Sequence, residues 1–160
     1  MPVVLLKNSV KEQIHHECIQ KKPNEACGFV WGTLSTSFLL AEAFTPIPNC
    51  APNPSTQFLM DPVAMIPLLT NNSESSLELL GILHSHPSAP ATPSHDDLST
   101  YWDKLPSHWI VSLQQPTPYI AAYQYFHLDN VDRVDVADNP AGGPSCIATY
   151  RSLPITLVPD

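Results

Sequence analysis

The chain has 160 residues, of which 43% are apolar and only 14% charged, and its formal net charge is −8. That length supports a core of its own and reads as one domain over residues 1–160. The acidic balance argues against nucleic acid or an anionic membrane as the main partner, and no apolar run approaches the roughly 20 residues that span a bilayer.

The first six residues are too short for a secretory signal, so a soluble, cytoplasmic protein is expected. Cys18, Cys27, Cys50 and Cys146 form no Cys-x-x-Cys pair and read as small buried hydrophobes. Eighteen prolines imply stiff loops.

In chain order, residues 3–6 read as a strand. Ser9-Val10-Lys11-Glu12 is a capping-box pattern, and Val10, Ile14, Cys18 and Ile19 follow at helical spacing until Pro23. His15 and His16 read as helix-surface residues, because Gln20 stands where a zincin motif needs its second histidine. Residues 26–31 form a strand closed by Gly32, with residues 38–44 as hairpin partner. A loop at 46–54 leads to an expected strand at 56–60. Asp61 and Pro62 then start a helix carrying Val63, Ile66 and Leu69, with Pro67 weakening it. After a polar loop at 71–76, residues 79–83 are a short apolar run typical of a strand buried on both faces. Further strands are expected at 109–113 and 119–126, an edge strand at 131–136, a turn-rich link at 140–145 and a last segment at 147–153. Helices among some eight strands indicate an α+β or layered α/β fold: a mixed, curved β-sheet flanked by helices.

The chemistry gathers where the buried strand ends, in Gly81-Ile82-Leu83-His84-Ser85-His86-Pro87. Strand residues i and i+2 face one side about 6.6 Å apart, so His84 and His86 can reach one ion at bonds of about 2.0–2.1 Å. Pro87 has no N–H for the ladder and stops the strand. The loop after it is long enough to fold Asp97 back over both imidazoles. Two imidazoles, a carboxylate and an open fourth position make the ligand set of a catalytic zinc.

His84-Ser85-His86-Pro87 with Ser94 and Asp97 resembles the His-x-His-Pro…Ser-x-x-Asp signature of the JAMM/MPN-plus zinc metalloproteases, including the ten-residue spacing between His86 and Asp97. Glu25, in Asn24-Glu25-Ala26-Cys27-Gly28-Phe29, matches the upstream glutamate of that family. The resemblance runs from about residue 23 to 113. It implies a cytidine-deaminase-like core with one zinc at an end of the sheet, held by His84, His86 and Asp97. Zinc lowers the pKa of its water from 15.7 to about 7. Glu25 would then act as general acid and base, and Ser94 would donate to the tetrahedral oxyanion, the roles the resemblance also implies.

Each residue has a plainer reading. Ser94 and Asp97 make a capping box by themselves, which is compatible with ligation. Glu25 alone is a solvated turn residue, and the two histidines alone are inert strand-end side chains. Ser85 faces away from the metal. His95, His108 and His127 have no partners at metal spacing, Cys27 lines core or pocket, and Gly142-Gly143 is a turn.

A short chain with Glu-Ala-Cys-Gly and Ser55-Thr56-Gln57-Phe58-Leu59-Met60-Asp61-Pro62 is similar to prokaryotic members of the family. The similarity implies a substrate: the C-terminal tail of a ubiquitin-like or sulfur-carrier β-grasp protein. Such a tail would add a strand beside Thr56, Phe58 and Met60, with the loop at 49–55 shaping its groove. The alternatives are a non-catalytic MPN scaffold and a deaminase. The deaminase pattern His-x-Glu…Pro-Cys-x-x-Cys is absent from the sequence.

Overall fold

The computed structural model describes residues 2–71, 75–126 and 149–160. Eight strands lie in one mixed sheet: β1 (Val3–Lys7), β2 (Cys27–Leu34), β3 (Phe38–Ile47), β4 (Glu78–His86), β5 (Ser107–Ser112), β6 (Tyr119–Phe126), β7 (Thr149–Leu153) and β8 (Ile155–Val158). Among the described residues three helices accompany them, α1 (Asn8–Lys21), α2 (Pro62–Thr70) and the single turn α3 (His95–Leu98). The spatial order is β7-β6-β5-β4-β2-β3-β1-β8. β1 runs parallel to β3 and β8, and β4 parallel to β5; the other neighbours are antiparallel.

β7 and β8 occupy opposite edges of this sheet, yet Pro154 alone separates them. The sheet must therefore curl until its edges meet, and Val4 N–H donates to the Pro154 carbonyl at 2.9 Å at that seam. Inside the curl lies α1. Its Val10, Ile14 and Cys18 pack into one cluster with Val4, Leu6, Val30, Ala41, Leu83, Trp109, Val111, Ala122 and Leu153, drawn from seven strands. Truncating Ile14, which is wholly buried, would cost about 2–5 kcal/mol in transfer and cavity terms. The opposite face carries Cys27, Phe29, Trp31, Ile47, Met60 and Ile82, covered by Ala64, Met65 and Leu68 of α2. This second face holds the site.

Several sequence expectations need correction. Ser9 does not cap α1, which begins at Asn8 with Lys7 as N-cap and no side-chain bond there. Asp160 serves that helix end instead, accepting from Ser9 N–H at 3.0 Å and Ser9 Oγ at 2.7 Å. Ile19 is exposed. Gly32 does not close β2; the strand continues through it with a bulge at Trp31/Gly32. A side chain there would collide with the Leu40 carbonyl, so glycine permits the close approach of β3. Val63, Ile66 and Leu69 face solvent. α2 is apolar nearly all round, so periodicity cannot choose its buried side, and Met65 and Leu68 turn inward. Cys50 is exposed, whereas Cys18 and Cys27 are buried.

Residues 56–60 are not a strand. One isolated bridge, Asn49 to Met60, is all the ladder they make. Their alternation is real, but their backbone groups bond elsewhere. Thr56 and Gln57 N–H donate to the Asn53 carbonyl, and the Leu59 carbonyl accepts from Cys50 N–H. β8, parallel to β1, was not anticipated from the sequence. The expected edge strand at 131–136, the turn at 140–145 with Gly142-Gly143, His127 and Cys146 lie outside the described residues; of the segment at 147–153, β7 is described.

Candidate metal centre and its cleft

β4 is central, bonded antiparallel to β2 and parallel to β5. Gly81 lets β5 approach so closely that a side chain would strike the Ser107 backbone. Period-two alternation then puts Ile82, His84 and His86 on the face of α2, and leaves Leu83 in the cluster around α1. The strand ends at His86, as Pro87 requires. The two imidazoles converge there, Nε2 to Nε2 at 3.0 Å, and both are almost fully buried.

The loop that follows is tied down by its own carbonyls. Four successive ones, at residues 88–91, accept from Gln114 Nε2, Ser112 Oγ, His86 Nδ1 and Tyr123 Oη. The His86 bond, at 2.7 Å, fixes that ring with its proton on Nδ1 and its Nε2 lone pair facing the centre. Ser94 then caps α3. Its Oγ accepts from Asp97 N–H at 3.1 Å, while Asp97 Oδ2 accepts from Ser94 N–H at 2.8 Å. This reciprocal pair aims the Asp97 carboxylate back at the histidines, Oδ1 to His84 Nε2 at 3.1 Å and Oδ2 to His86 Nε2 at 3.3 Å. Capping and approach to the imidazoles are done by the same side chain.

Glu25 precedes β2 and shares a face with Cys27. Its carboxylate lies with His84 and His86 in a group whose ligand atoms are within 4.8 Å of one another. Ser85, fully buried, points the other way: its Oγ accepts from Ala26 N–H at 2.8 Å, and its N–H donates to the Ala26 carbonyl at 2.9 Å. Those bonds lock the start of β2 to the histidine strand. Glu25 N–H donates to the Pro54 carbonyl at 2.7 Å.

The electrostatics follow from burial and neighbours. Burial, opposed by nearby His86 and helped by Asp97, lifts the Glu25 carboxyl to about 7. Burial acts upward on Asp97 too, but the adjacent His84 and His86 rings and the hydrogen bond from Ser94 N–H outweigh it and hold this carboxyl well below the usual range. For His86, burial acts downward and is outweighed by Asp97 and the Pro90 carbonyl, so its pKa is raised. Cys27 is pushed up to about 12, chiefly by burial, and its Sγ donates to the Ile47 carbonyl, which leaves no thiolate near the centre.

The donor set fits a cation. Four ligands around a tetrahedral ion at about 2.0–2.1 Å stand about 3.3 Å apart. The contacts among His84, His86 and Asp97 are 3.0, 3.1 and 3.3 Å. Glu25, grouped with the histidines but without a hydrogen bond to either, is the odd member of the quartet.

Residues 7–124 match the family described as prokaryotic homologs of the JAB domain. The chain belongs to that family. Over 96 residues it is 32% identical to a probable TtuB-protein conjugate cleaving protease of Thermus thermophilus, covering 60% of this chain and 62% of that protein. Over 91 residues it is 31% identical to a desampylase of Pyrococcus furiosus, covering 54% and 58%. The match thus spans less than two thirds of either relative. A protein from Desulfitobacterium hafniense with a known solution structure superposes with a TM-score of 0.75 over 99% of this chain and 94% of its own, at 24% identity, and shows the shared fold.

In this JAB-domain chain the centre opens into a cleft of about 600 Å³. Thr56, Phe58 and Met60 all line it, as do Ser94, which is exposed, and His108. Phe58 stacks on His84 with centroids 4.5 Å apart. Asp96 reaches the cleft but is exposed, and His95 is exposed at the start of α3. Sequence reasoning missed Asn49. Its Nδ2 donates to the carbonyls of Glu25 (3.1 Å), Pro54 (3.4 Å) and Gln57 (2.9 Å). Its Oδ1 accepts from Ala51 and Leu59 N–H, both at 3.0 Å. One amide therefore ties the cleft wall to the backbone of Glu25. The sequence signal for it was slight: one asparagine among several polar residues of a proline-rich loop.

Proposed function

We propose that the chain is a zinc-dependent peptidase or isopeptidase, a single cytoplasmic domain over residues 1–160, that hydrolyses the amide bond at the C-terminal tail of a ubiquitin-like or sulfur-carrier β-grasp protein. The observation that carries this reading is the approach of His84, His86 and Asp97 within 3.3 Å of one another beside a carboxyl poised near neutrality. The two relatives, one named for cleaving TtuB conjugates and the other as a desampylase, support the substrate class.

In this reading His84, His86 and Asp97 hold the zinc ion, which when bound supplies a Lewis acid for the scissile carbonyl and for an attacking water. Glu25 takes the water's proton and returns it to the leaving amine. A carboxyl at about 7 populates both forms near neutral pH, as an acid–base shuttle requires. The Ser94 oxygen already accepts from Asp97 N–H, so its own hydrogen is left to donate to the developing oxyanion. Phe58 shields the His84 ring, and Thr56 and Met60 flank the incoming tail.

The test is cleavage of a ubiquitin-like fusion by purified protein, after chelation and after zinc is restored. Cleavage abolished by the chelator and recovered with zinc supports the reading. Cleavage indifferent to the chelator, or none by zinc-loaded protein on any tail fusion, overturns it.

A further inference from the structure

With the metal centre accounted for, one buried polar atom in the same cleft has no task. Among the described residues, His108 Nε2 is the buried side-chain nitrogen without a hydrogen-bond partner. His108 is 3% exposed and lines the cleft. It lies on β5 opposite Ile82, on the face that also carries His84. That places it about 6.6 Å back along the strand direction from the level of His84, roughly one side chain's length.

Its ring is held on two sides. It stacks on Tyr125 with centroids 3.8 Å apart and planes 4° from parallel. One ring N–H is hydrogen-bonded to the Trp102 backbone carbonyl. Burial pushes its pKa down to about 4, so the ring carries a single proton at neutral pH. Since Nε2 has no partner, that proton is on Nδ1 and Nε2 is a bare acceptor. Such an atom, desolvated and aimed nowhere within the fold, is costly unless a ligand meets it.

We infer that Ile82, Trp102, His108 and Tyr125 form a specificity subsite that receives an uncharged hydrogen-bond donor, the hydroxyl or primary amide of a substrate side chain beside the cut bond, on His108 Nε2. This rests on the peptidase reading of the cleft. A lone pair rejects carboxylates and other pure acceptors, and the apolar walls penalise an ammonium group, which would lose its water. A pocket built to accept a donor discriminates strongly against an isostere without one.

The experiment uses zinc-loaded full-length protein and tail fusions that differ only at the residues flanking the cut. Threonine is compared with valine and asparagine with leucine, on each side in turn. On one side, the donor-bearing member of each pair is expected to be cut with at least tenfold higher kcat/KM. His108→Phe keeps an aromatic ring against Tyr125 and removes the acceptor. It should abolish the preference, bringing kcat/KM for the threonine and asparagine fusions down to that of its own valine and leucine fusions. Equal kcat/KM for both members of each pair in wild type, meaning that a buried water alone meets Nε2, overturns the subsite whatever the variant does. So does a preference that survives in His108→Phe. Binding of the same peptides to Glu25→Gln protein separates the two claims. A tenfold binding preference without turnover by wild type leaves the subsite standing and removes the peptidase, whereas turnover without preference does the reverse.

Discussion

Replacing Glu25 by glutamine keeps the shape of the side chain and removes a charge that the folded protein accommodates poorly. Folding raises this carboxyl from 4.5 to about 7, mainly by burial, with Asp97 adding to the effect and His86 opposing it. Below pH 4.5 both folded and unfolded chains hold the proton, and the group is neutral in its effect. Between 4.5 and 7 only the folded chain holds it, so stability falls as pH rises; above 7 the penalty is complete and constant. At about 1.4 kcal/mol per factor of ten the penalty reaches about 3 kcal/mol, reduced to about 1–2 kcal/mol because the cleft admits water. For a chain of this size that is about 2–8 °C in Tm. Metal-free Glu25→Gln should therefore melt above metal-free wild type at pH 8 and lose that advantage by pH 4.5, while its hydrolytic activity with zinc falls by at least 10²-fold. Thermal melts across pH, with chelator in every sample, provide the assay. A Tm difference that is flat with pH, or negative at pH 8, would refute the account of Glu25 as a desolvated carboxyl.

Other expectations follow from the same geometry. Asp97→Asn leaves a side-chain oxygen able to cap α3 but removes the anion between His84 and His86. Metal analysis should find less than stoichiometric zinc, with activity down by more than the roughly 10–100-fold typical of supporting residues. Asn49→Ala strips five hydrogen bonds from the cleft wall, which should cost about 1–3 kcal/mol in urea denaturation and lower kcat as Glu25 loses its anchor. Asn49→Asp, which keeps the two accepted bonds, should recover part of both. Phe58→Ala removes the ring over His84, with an expected effect of about 0.5–1.5 kcal/mol on substrate binding and little on stability. Chelation of the zinc-loaded protein should lower Tm, as loss of any ligand that binds the folded and not the unfolded chain does.

Much of the site was legible because its parts obey local rules. The pair His84 and His86 follows from strand periodicity and a terminating proline, and the approach of Asp97 from a capping pattern at a set distance. The loop at 49–60 was not legible in the same way. Phe58 and Met60 alternate as a strand would, but Asn49 supplies the bonds that a neighbouring strand would otherwise give, and a side chain acting across ten residues leaves no periodic trace. The wrong face expected for α2 has a related origin. Where Val63, Met65, Ile66, Leu68 and Leu69 are all apolar, only the tertiary partner decides which turn inward. β8 escaped notice because its four residues pair with the other end of the chain, and nothing near Pro154 announces that the sheet's two edges meet there.

Three members of the centre are each held by a bond that no cation makes. His86 is oriented by the Pro90 carbonyl, Asp97 by Ser94, Glu25 by Asn49 and Pro54, and the β2 start by Ser85. Three of these four anchors use backbone carbonyls or amides in segments without regular structure, which is where a side chain can both satisfy an orphan backbone group and fix a neighbour.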